Sequence, residues 1–389
     1  MLFSLEAVQA DHGDALLVHY GPADDPKLIL VDAGPNDVWE DWMKPRLEQY
    51  RELRGLTGPV PIHLTMVSHM DRDHITGVLK MVRDAEARDA AGKPQLVELR
   101  ALWHNTFDDI LSTTQVSSIA ALQAFFSSAD AATIASLGGD VASAMIAGDI
   151  QMGKDLADIA DSLGITINGG FDKGVVQAPK TIKLGPETTL TVLGPHRREL
   201  ELLEQEWDHV RGEAAGAPEP EKHRTWSSFL DASVHNLASL VVIIEQGKGQ
   251  AKKSMLLTGD ARGDFIMSAL RKAKRLPASG GSVTFDILKI PHHGSDRNVS
   301  KAFFETVRAK NYVFSGDGTV GSNPDIKTVR WLNQARGAAS YSIYFTNRLD
   351  KLVEHFARDQ ADNTRSYEVI YRDDDEWSTW IDLGEPLEI

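Results

Sequence analysis

Four potential metal ligands lie within six residues, in the segment His69-Met70-Asp71-Arg72-Asp73-His74. The apolar run Ile62–Val67 before it is typical of a buried strand, and we expect a helix to begin near Ile75-Thr76-Gly77. Carboxylates that crowd a strand end repel one another unless a cation offsets their charge. The segment therefore predicts a divalent-metal site, and the alternative is a polar surface loop.

Asp260 is a second candidate ligand, which follows the apolar pair Leu256-Leu257 and Gly259. A Gly-Asp pair alone usually marks a turn. At the end of a buried strand, however, the carboxylate would be held rigidly enough to bridge two ions.

The adjacent histidines His292 and His293 close the apolar run Leu288–Ile290. Because adjacent residues on a strand point to opposite faces, we expect one imidazole to bind a metal ion. The other would support a ligand or act as an acid or base. Two solvated loop histidines are the alternative.

His235 precedes the apolar strand Leu240–Ile244. A lone histidine in such a position is more often structural than metal-binding. We keep it as a candidate ligand because zinc-type sites usually need a further imidazole.

Composition limits the class of protein. The chain has 389 residues, of which 42% are hydrophobic, so it can bury a full core. The segment Met1–Glu6 lacks the basic start of a signal peptide, and no run approaches the roughly 18 apolar residues of a membrane span, so we expect a cytoplasmic protein without a membrane partner. The chain has no cysteine, which leaves histidine and carboxylate as metal ligands. A net charge of −15 argues against a nucleic-acid binder that relies on phosphate contacts alone, but not against a phosphodiester held by metals.

The elements that would position these side chains alternate between strands and helices. We predict strands at Leu2–Val8, Ala15–Tyr20, Lys27–Val31, Ile62–Val67, Val97–Trp103, Thr181–Leu184, Thr189–Leu193, Leu237–Glu245, Ser254–Leu257, Phe285–Ile290, Asn311–Phe314 and Tyr341–Phe345, and a final hairpin of Tyr367–Tyr371 with Trp377–Asp382. We predict helices at Asp41–Leu56, Val78–Ala91, Arg197–Gly216, Asp264–Arg275, Lys301–Ala309 and Asp325–Arg336. This pattern predicts an α/β fold, an αββα sandwich of two mixed sheets with outer helices, in a single domain over 1–389.

Residues 105–180 differ from the rest, since their spacing is helical and their alanine content is high. We predict a helical insertion here. It is either a lid or a plain packing layer over the sheet.

Together, the motifs resemble the metallo-β-lactamase superfamily, in the His-x-Asp-x-Asp-His variant of its first metal motif. More closely, they resemble the soluble hydrolase domain of the competence protein ComEC and its stand-alone relatives. The likeness includes 10–15, which is similar to that family's Gly-Gln-Gly-Asp-Ser opening, Leu30-Val31-Asp32-Ala33-Gly34, Thr258-Gly259-Asp260 and Pro291-His292-His293-Gly294-Ser295. It covers roughly 1–105 and 181–350 and leaves the insertion unmatched.

The resemblance implies a metal-dependent hydrolase with two divalent ions and a bridging hydroxide as nucleophile. The implied ligands are His69, Asp71 and His235 for the first ion, Asp73, His74 and either His292 or His293 for the second, and Asp260 as the bridge. The residues implied to be catalytic are Asp73, Asp260 and His293.

The chain departs from the ComEC-like pattern at two places. That branch usually has Asn or an acidic residue where His235 stands, so we expect this chain to keep a ligand that the branch often loses. At 321–324 the family often shows Tyr-Gly-His-Pro, whereas this chain reads Gly-Ser-Asn-Pro, so the resemblance implies no substrate-handling histidine at these positions.

Asp71 stands where most lactamase-type members have His. With three aspartates and a hydroxide, the negative charges balance those of two divalent ions. A carboxylate is also a harder ligand than an imidazole, which shifts the preference from zinc toward manganese or magnesium. We expect zinc or manganese, and the sequence does not separate them.

Relatives with these motifs act on phosphodiesters, including nucleic acid, so the resemblance implies an anionic substrate and a phosphodiesterase. A lactone, thioester or β-lactam hydrolase on the same two ions is the alternative. A non-catalytic binding protein with a vestigial site is a third reading, against which the complete ligand set argues. The sequence leaves the oligomeric state open.

Overall fold

The computed structural model describes residues 1–106, 109, 141–171, 174–200, 238–362 and 365–387. His235, much of the predicted insertion and the predicted helix beyond residue 200 lie outside these described residues. Within them, most of the strands form two large sheets, and the helices lie between strands along the chain. None of the helices in the described ranges combines the length and the apolar character that a bilayer span requires.

The first large sheet has seven strands and the second has eight. The described strands are β1 (Leu2–Val8), β2 (Ala15–Gly21), β3 (Lys27–Ala33), β4 (Val60–Ile62), β5 (Leu64–Met66), β6 (Val97–Leu99), β7 (Ala101–Trp103), β8 (Thr166–Ile167), β9 (Lys180–Lys183), β10 (Thr188–Gly194), β11 (Val241–Gln246), β12 (Lys253–Leu257), β13 (Val283–Lys289), β14 (Val307–Phe314), β15 (Ser340–Phe345), β16 (Ser366–Tyr371) and β17 (Ser378–Asp382). The first sheet has the order β17-β1-β2-β3-β5-β7-β8, antiparallel from β17 to β3 and parallel beyond. The second has the order β16-β15-β14-β13-β12-β11-β10-β9, parallel from β16 to β12 and antiparallel beyond.

Helices cover the outer faces of both sheets. The described helices are α1 (Lys44–Leu53), which continues a π-helical turn at Trp39–Met43, α2 (Arg72–Ala90), α3 (Val141–Ser162), α4 (Gly263–Lys272), α5 (Lys301–Thr306), α6 (Ile326–Arg336) and α7 (Asp350–Asp362). Short 3-10 turns lie at Gly249–Ala251 and Pro291–Gly294.

Three apolar layers hold the sandwich together. Strand β11 shows how the sequence produces them: Val242 and Ile244 pack in the core between the sheets, whereas Val241 and Ile243 pack under the helices of the second sheet. Because successive side chains point to opposite faces, a strand buried on both faces reads as a continuous apolar run. The predicted αββα sandwich of two mixed sheets is therefore confirmed.

Two predicted strands are each divided in the structure. Ile62–Val67 separates into β4 and β5, and Val97–Trp103 separates into β6 and β7. Strands β5 and β7 belong to the first sheet, whereas β4 and β6 pair with each other in a small parallel sheet. The apolar pattern does not show this change of partner, because it indicates that a segment is a strand but not which strand it pairs with.

The predicted hairpin at the C-terminal end is wrong. Strand β16 pairs with β15 at the edge of the second sheet, whereas β17 pairs with β1 in the first. The predicted helix Lys301–Ala309 ends earlier, at Thr306, because Val307 and Ala309 are buried as alternate residues of β14. Helix α7 was not predicted.

The described part of residues 105–180 packs against the first sheet. Leu156 and Ala160 of α3 are buried in the same layer as Val78 and Val82 of α2. Strand β8 extends the sheet by pairing in parallel with β7. Residues 107–108, 110–140 and 172–173 of the predicted insertion lie outside the described residues.

Candidate metal centre

The candidate ligands gather where strands of both sheets end. His69 to His74 follow β5, Asp260 follows β12, and His292 and His293 follow β13. Strands β12 and β13 are parallel, so their carboxyl ends meet at one edge of the second sheet. The first sheet brings the end of β5 to the same edge, which places the three sequence motifs together.

The first motif forms the entry to α2. The helix begins at Arg72, earlier than predicted, with Asp71 at its N-cap, so that Asp73 and His74 lie in the first turn. Nε2 of His69 lies 3.3 Å from Oδ2 of Asp71. Nε2 of His74 lies 3.7 Å from Oδ2 of Asp73. The motif thus forms two histidine–aspartate pairs.

Asp260 lies between all four imidazoles. One or the other of its carboxylate oxygens is 3.7 Å from Nε2 of His69, 3.5 Å from Nε2 of His74, 3.4 Å from Nε2 of His292 and 3.8 Å from Nε2 of His293. Asp260 as a whole is only 1% exposed to solvent. The structure therefore gives Asp260 the central position that a bridging carboxylate requires.

His292 and His293 both face Asp260, so the expectation that adjacent imidazoles point apart is wrong. The two residues are not on a strand but in the 3-10 turn, where both have a left-handed backbone, with φ of 49° and 50°. Non-glycine residues in this region are uncommon and strained, and they cluster at functional sites. Nε2 of His293 also lies 3.3 Å from Oδ2 of Asp73, which brings it to the second histidine–aspartate pair.

Several buried ligand atoms of this cluster have no hydrogen-bond partner among the described residues. They are Nε2 of His69, Nε2 of His74, Nε2 of His293 and Oδ1 of Asp260. Buried polar atoms without partners are costly and rare in native proteins. The donor atoms of His69, His74 and Asp260 also lie within 4.8 Å of one another. The residues present therefore fit a divalent metal ion, which would supply the missing partner.

A further set of residues supports the imidazoles through their Nδ1 atoms. Nδ1 of His74 lies 2.9 Å from Oδ2 of Asp32, and Nδ1 of His292 lies 2.8 Å from Oδ1 of Asn298. The supports of the other two are Ser68 for His69 and both Asp14 and Ser315 for His293. Because Nδ1 is engaged, each ring presents Nε2 to the centre.

Sequence reasoning did not identify these supporting residues as functional. Asp14 and Asp32 stood only inside segments that resemble family motifs. Ser68 neighbours the first motif, whereas Asn298 and Ser315 carry no signal in the sequence, because only the fold brings them to the histidines.

The buried carboxylates and imidazoles of the centre shift one another's pKa values. Burial alone would raise the pKa of Asp260, but the surrounding imidazoles outweigh it and hold that pKa well below its usual range. Burial alone would lower the pKa of His293, but Asp14 and Asp260 raise it to about 9. In the same way, Asp260, Asp73 and Asp32 raise the pKa of His74 well above its usual value. A proton on His74 or His293 would offset part of the carboxylate charge, and a metal ion bound there would displace it.

His235 is the one sequence-predicted ligand outside the described residues. The described chain resumes at Ala238, and the amide of Leu240 donates to the carbonyl of Ser68 at 2.8 Å. The other seven predicted site residues are His69, Asp71, Asp73, His74, Asp260, His292 and His293, and the structure brings all of them together.

Comparisons with known proteins give matches at the level of structure. No protein-family model matches the chain, and no curated protein matches it in sequence. The metallo-β-lactamase fold protein YhfI from Bacillus subtilis is similar over 98% of this chain and 99% of its own, with 11% identity and a TM-score of 0.38. MEM-A1, a subclass B3 metallo-β-lactamase from a soil metagenome library, is similar over 93% and 96%, with 13% identity and a TM-score of 0.31. MIM-1 from Novosphingobium pentaromativorans, a metallo-β-lactamase, is similar over 92% of each chain, with 11% identity and a TM-score of 0.29.

Proposed function

We propose that this protein is a metal-dependent hydrolase of the metallo-β-lactamase superfamily, of the ComEC-like branch, and that it cleaves phosphodiesters. The observation that carries the proposal is the convergence of four imidazoles on Asp260. Three of these rings present a buried Nε2 that has no hydrogen-bond partner in the described part of the chain. A site of this kind is costly to build unless it binds a cation.

The ligands divide into two positions around Asp260. One position, which we term the Asp71 position, would be held by His69 and Asp71, with His235 as a further candidate. The other, which we term the Asp73 position, would be held by Asp73, His74 and His293. We divide the residues in this way because His69 lies next to Asp71, whereas His293 lies next to Asp73. His292 would face the shared carboxylate from its more open side, since its side chain is 31% exposed.

Bound divalent ions would supply an activated water and positive charge for the substrate's oxygens. The chain's own part is to fix the ligands, to exclude bulk water from their Nε2 atoms and to hold Asp260 between them. The side chains of Asp71 and Asp73 are 34% and 22% exposed, whereas those of His69 and His74 are buried, so the site is open on the carboxylate side. An anionic substrate would approach from there.

We expect zinc or manganese as the metal, and the hard carboxylate donors shift the preference from zinc toward manganese. Three carboxylates face the centre, and Asp71 takes a place where an imidazole would favour zinc more strongly. Together with a bound hydroxide, these three carboxylates would balance the positive charge of two divalent ions. Recognition of a phosphodiester would thus depend on direct metal contact rather than on long-range attraction, in keeping with the net charge of −15.

A substrate panel on the metal-loaded protein tests the proposal. The chain is stripped with chelator, reconstituted with zinc or manganese, and offered bis-p-nitrophenyl phosphate, single-stranded DNA and a chromogenic lactam. We expect phosphodiester cleavage that chelator abolishes and that Asp260→Ala removes. Asp264→Ala is the matched control, because Asp264 is an exposed acid on α4 that pairs with Arg262.

Two results would contradict the proposal in different ways. Elemental analysis that finds no bound ion after reconstitution removes the metal centre itself. Hydrolysis of the lactam without hydrolysis of either phosphodiester leaves the centre in place and replaces the substrate class.

A further inference from the structure

The two proposed metal positions differ in what lies behind their histidines. Asp32 supports His74, with 2.9 Å between Oδ2 and Nδ1, and Asp14 supports His293, with 3.2 Å between Oδ1 and Nδ1. Both of these histidines belong to the Asp73 position. The other two histidines, His69 and His292, have neutral supports, the hydroxyl of Ser68 and the side chain of Asn298. Among the described histidines, carboxylate support is thus found only at the Asp73 position.

Asp14 is itself held by a buried lysine from the opposite sheet. Nζ of Lys289, at the end of β13, lies 2.7 Å from Oδ2 of Asp14, which precedes β2. The side chains are 0% and 1% exposed. Oδ1 of Asp14 accepts from the hydroxyl of Ser315 and faces Nδ1 of His293. Isolating such a pair from water is costly, so its place directly behind a candidate ligand calls for a functional reason.

Asp14 is a support rather than a ligand. Ligand atoms of Asp14, His74 and His293 do come within 4.8 Å of one another. However, Lys289 and Ser315 already occupy the two oxygens of Asp14. A metal ion beside Nζ of Lys289 would also meet a like charge.

The backbone next to Asp14 braces a second member of the same position. The amide of Asp14 donates to the carbonyl of Asp73 at 3.2 Å. At Gly13, a Cβ would lie 2.0 Å from that carbonyl oxygen, so only glycine permits this approach. The segment Gly13–Asp14 therefore fixes both Asp73 and His293.

From this asymmetry we propose that Asp14, held by Lys289, is a positioning residue for His293, and that the Asp73 position binds its ion before the Asp71 position. A carboxylate behind a metal-binding imidazole fixes the ring and raises its basicity. Both imidazoles of the Asp73 position have this support, whereas His69, the described imidazole of the Asp71 position, is supported by the hydroxyl of Ser68. The inference rests on the proposed function, since it requires the metal centre.

Stepwise metal titration tests the inference. Metal-free protein is titrated with zinc against a chromophoric chelator, which reports binding constants rather than turnover. We expect two steps of unequal affinity in the wild type. Asp14→Asn should weaken the tighter step about 10- to 100-fold, the usual effect of losing such a support, and leave the weaker step unchanged. Asp37→Asn is the matched control, because Asp37 is an exposed aspartate that pairs with Lys80, so the same change of side chain should leave both steps unchanged.

Two further variants separate positioning from folding. Asp71→Asn should reduce the affinity of the weaker step alone. This result would assign the weaker step to the Asp71 position and the tighter step to the Asp73 position. Asp14→Asn combined with Lys289→Met removes both buried charges together. If it folds with the wild-type melting temperature and still weakens the tighter step, the loss is due to the missing carboxylate and not to unfolding.

The outcomes distinguish the inference from the proposed function. A wild-type protein that binds no zinc overturns both. Two bound ions with equal affinities, or a tighter step that Asp14→Asn weakens no more than Asp37→Asn does, overturns the inference and leaves the metal centre standing.

Discussion

Oδ2 of Asp32 lies 2.9 Å from Nδ1 of His74, and the other carboxylate oxygen accepts from the amide of Ser68 at 2.7 Å. One buried carboxylate at the end of β3 thus fixes both a histidine on α2 and the backbone that leads into the first motif. Asp32 also has a left-handed backbone, with φ of 57°. Strain of this kind is retained where the surrounding structure requires it, and here it aims the carboxylate at the histidine.

Asp32→Asn should weaken metal binding without unfolding the protein. The amide keeps the shape of the side chain but loses the charge that makes the His74 imidazole a stronger ligand. We expect a 10- to 100-fold weaker affinity for zinc, measured by chelator competition. Asp37→Asn is the control, because the side chain of Asp37 is 78% exposed. Equal affinities in the two variants would mean that Asp32 serves the fold alone.

Gly77→Ala should destabilise the protein, although alanine is the better helix former by about 1 kcal/mol. Gly77 lies on α2 where the helix crosses β3, and an added Cβ would lie 1.9 Å from the carbonyl oxygen of Ala33. Relieving this overlap requires the helix to move, at a cost of roughly 1–3 kcal/mol.

Urea unfolding of the metal-free protein measures this change. Gly58→Ala is the control, since nothing lies within 4 Å of a Cβ built at Gly58. A Gly77→Ala variant as stable as the wild type would show that α2 is not tightly seated on β3. The same movement would displace Asp73 and His74, so metal affinity should fall together with stability.

Glu6 makes the stability of the protein depend on acid. Its carboxylate is buried between Arg46, His19 and the hydroxyl of Ser378. Burial alone would raise the pKa of Glu6, but His19 and Arg46 outweigh it and hold the pKa below its ordinary value of 4.5. A lowered pKa in the folded state means that this stabilisation is present above about pH 4.5 and is lost as the pH falls below it.

Glu6→Gln should therefore cost about 3–5 kcal/mol of unfolding free energy at pH 7, because it leaves the buried charge of Arg46 uncompensated. The difference in unfolding free energy between variant and wild type should narrow as the pH falls below about 4.5, by at most about 1.4 kcal/mol per pH unit. Denaturant unfolding at several pH values measures it. Glu40→Gln, at an exposed glutamate paired with Lys44, should show a small gap at every pH. A gap for Glu6→Gln that does not change with pH would contradict the argument.

The sequence identifies the candidate residues that the structure brings together but not the residues that support them, for a physical reason. His69 to His74 are adjacent in the chain, so their spacing alone indicates a site. The support of His293 comes from Asp14 and Ser315, which are separated by 301 residues and meet only when the sheets pack. Likewise, the direction of His292 depends on a left-handed turn that strand periodicity does not reveal. The edge strands β16 and β17 were predicted as strands but not with their partners, because apolar alternation carries no information on pairing.

Asp71→His should move the metal preference toward zinc. Asp71 is the extended N-cap of α2, with φ of −65° and ψ of 144°, a backbone that histidine adopts without strain. Its Oδ2 lies 3.3 Å from Nε2 of His69, within the Asp71 position. An imidazole there replaces a hard donor by a softer one and leaves the site with one more positive charge. We expect the ratio of zinc to manganese affinity to rise by about 10-fold or more, since 1.4 kcal/mol of differential ligand preference is tenfold in affinity. Competition of the two metals for the metal-free protein measures the ratio.

Asp296→His is the control, because Asp296 pairs with Lys327 outside the centre. If the zinc and manganese affinities shift by the same factor, Asp71 does not touch the metal, and the Asp71 position must be built from His69 and other residues.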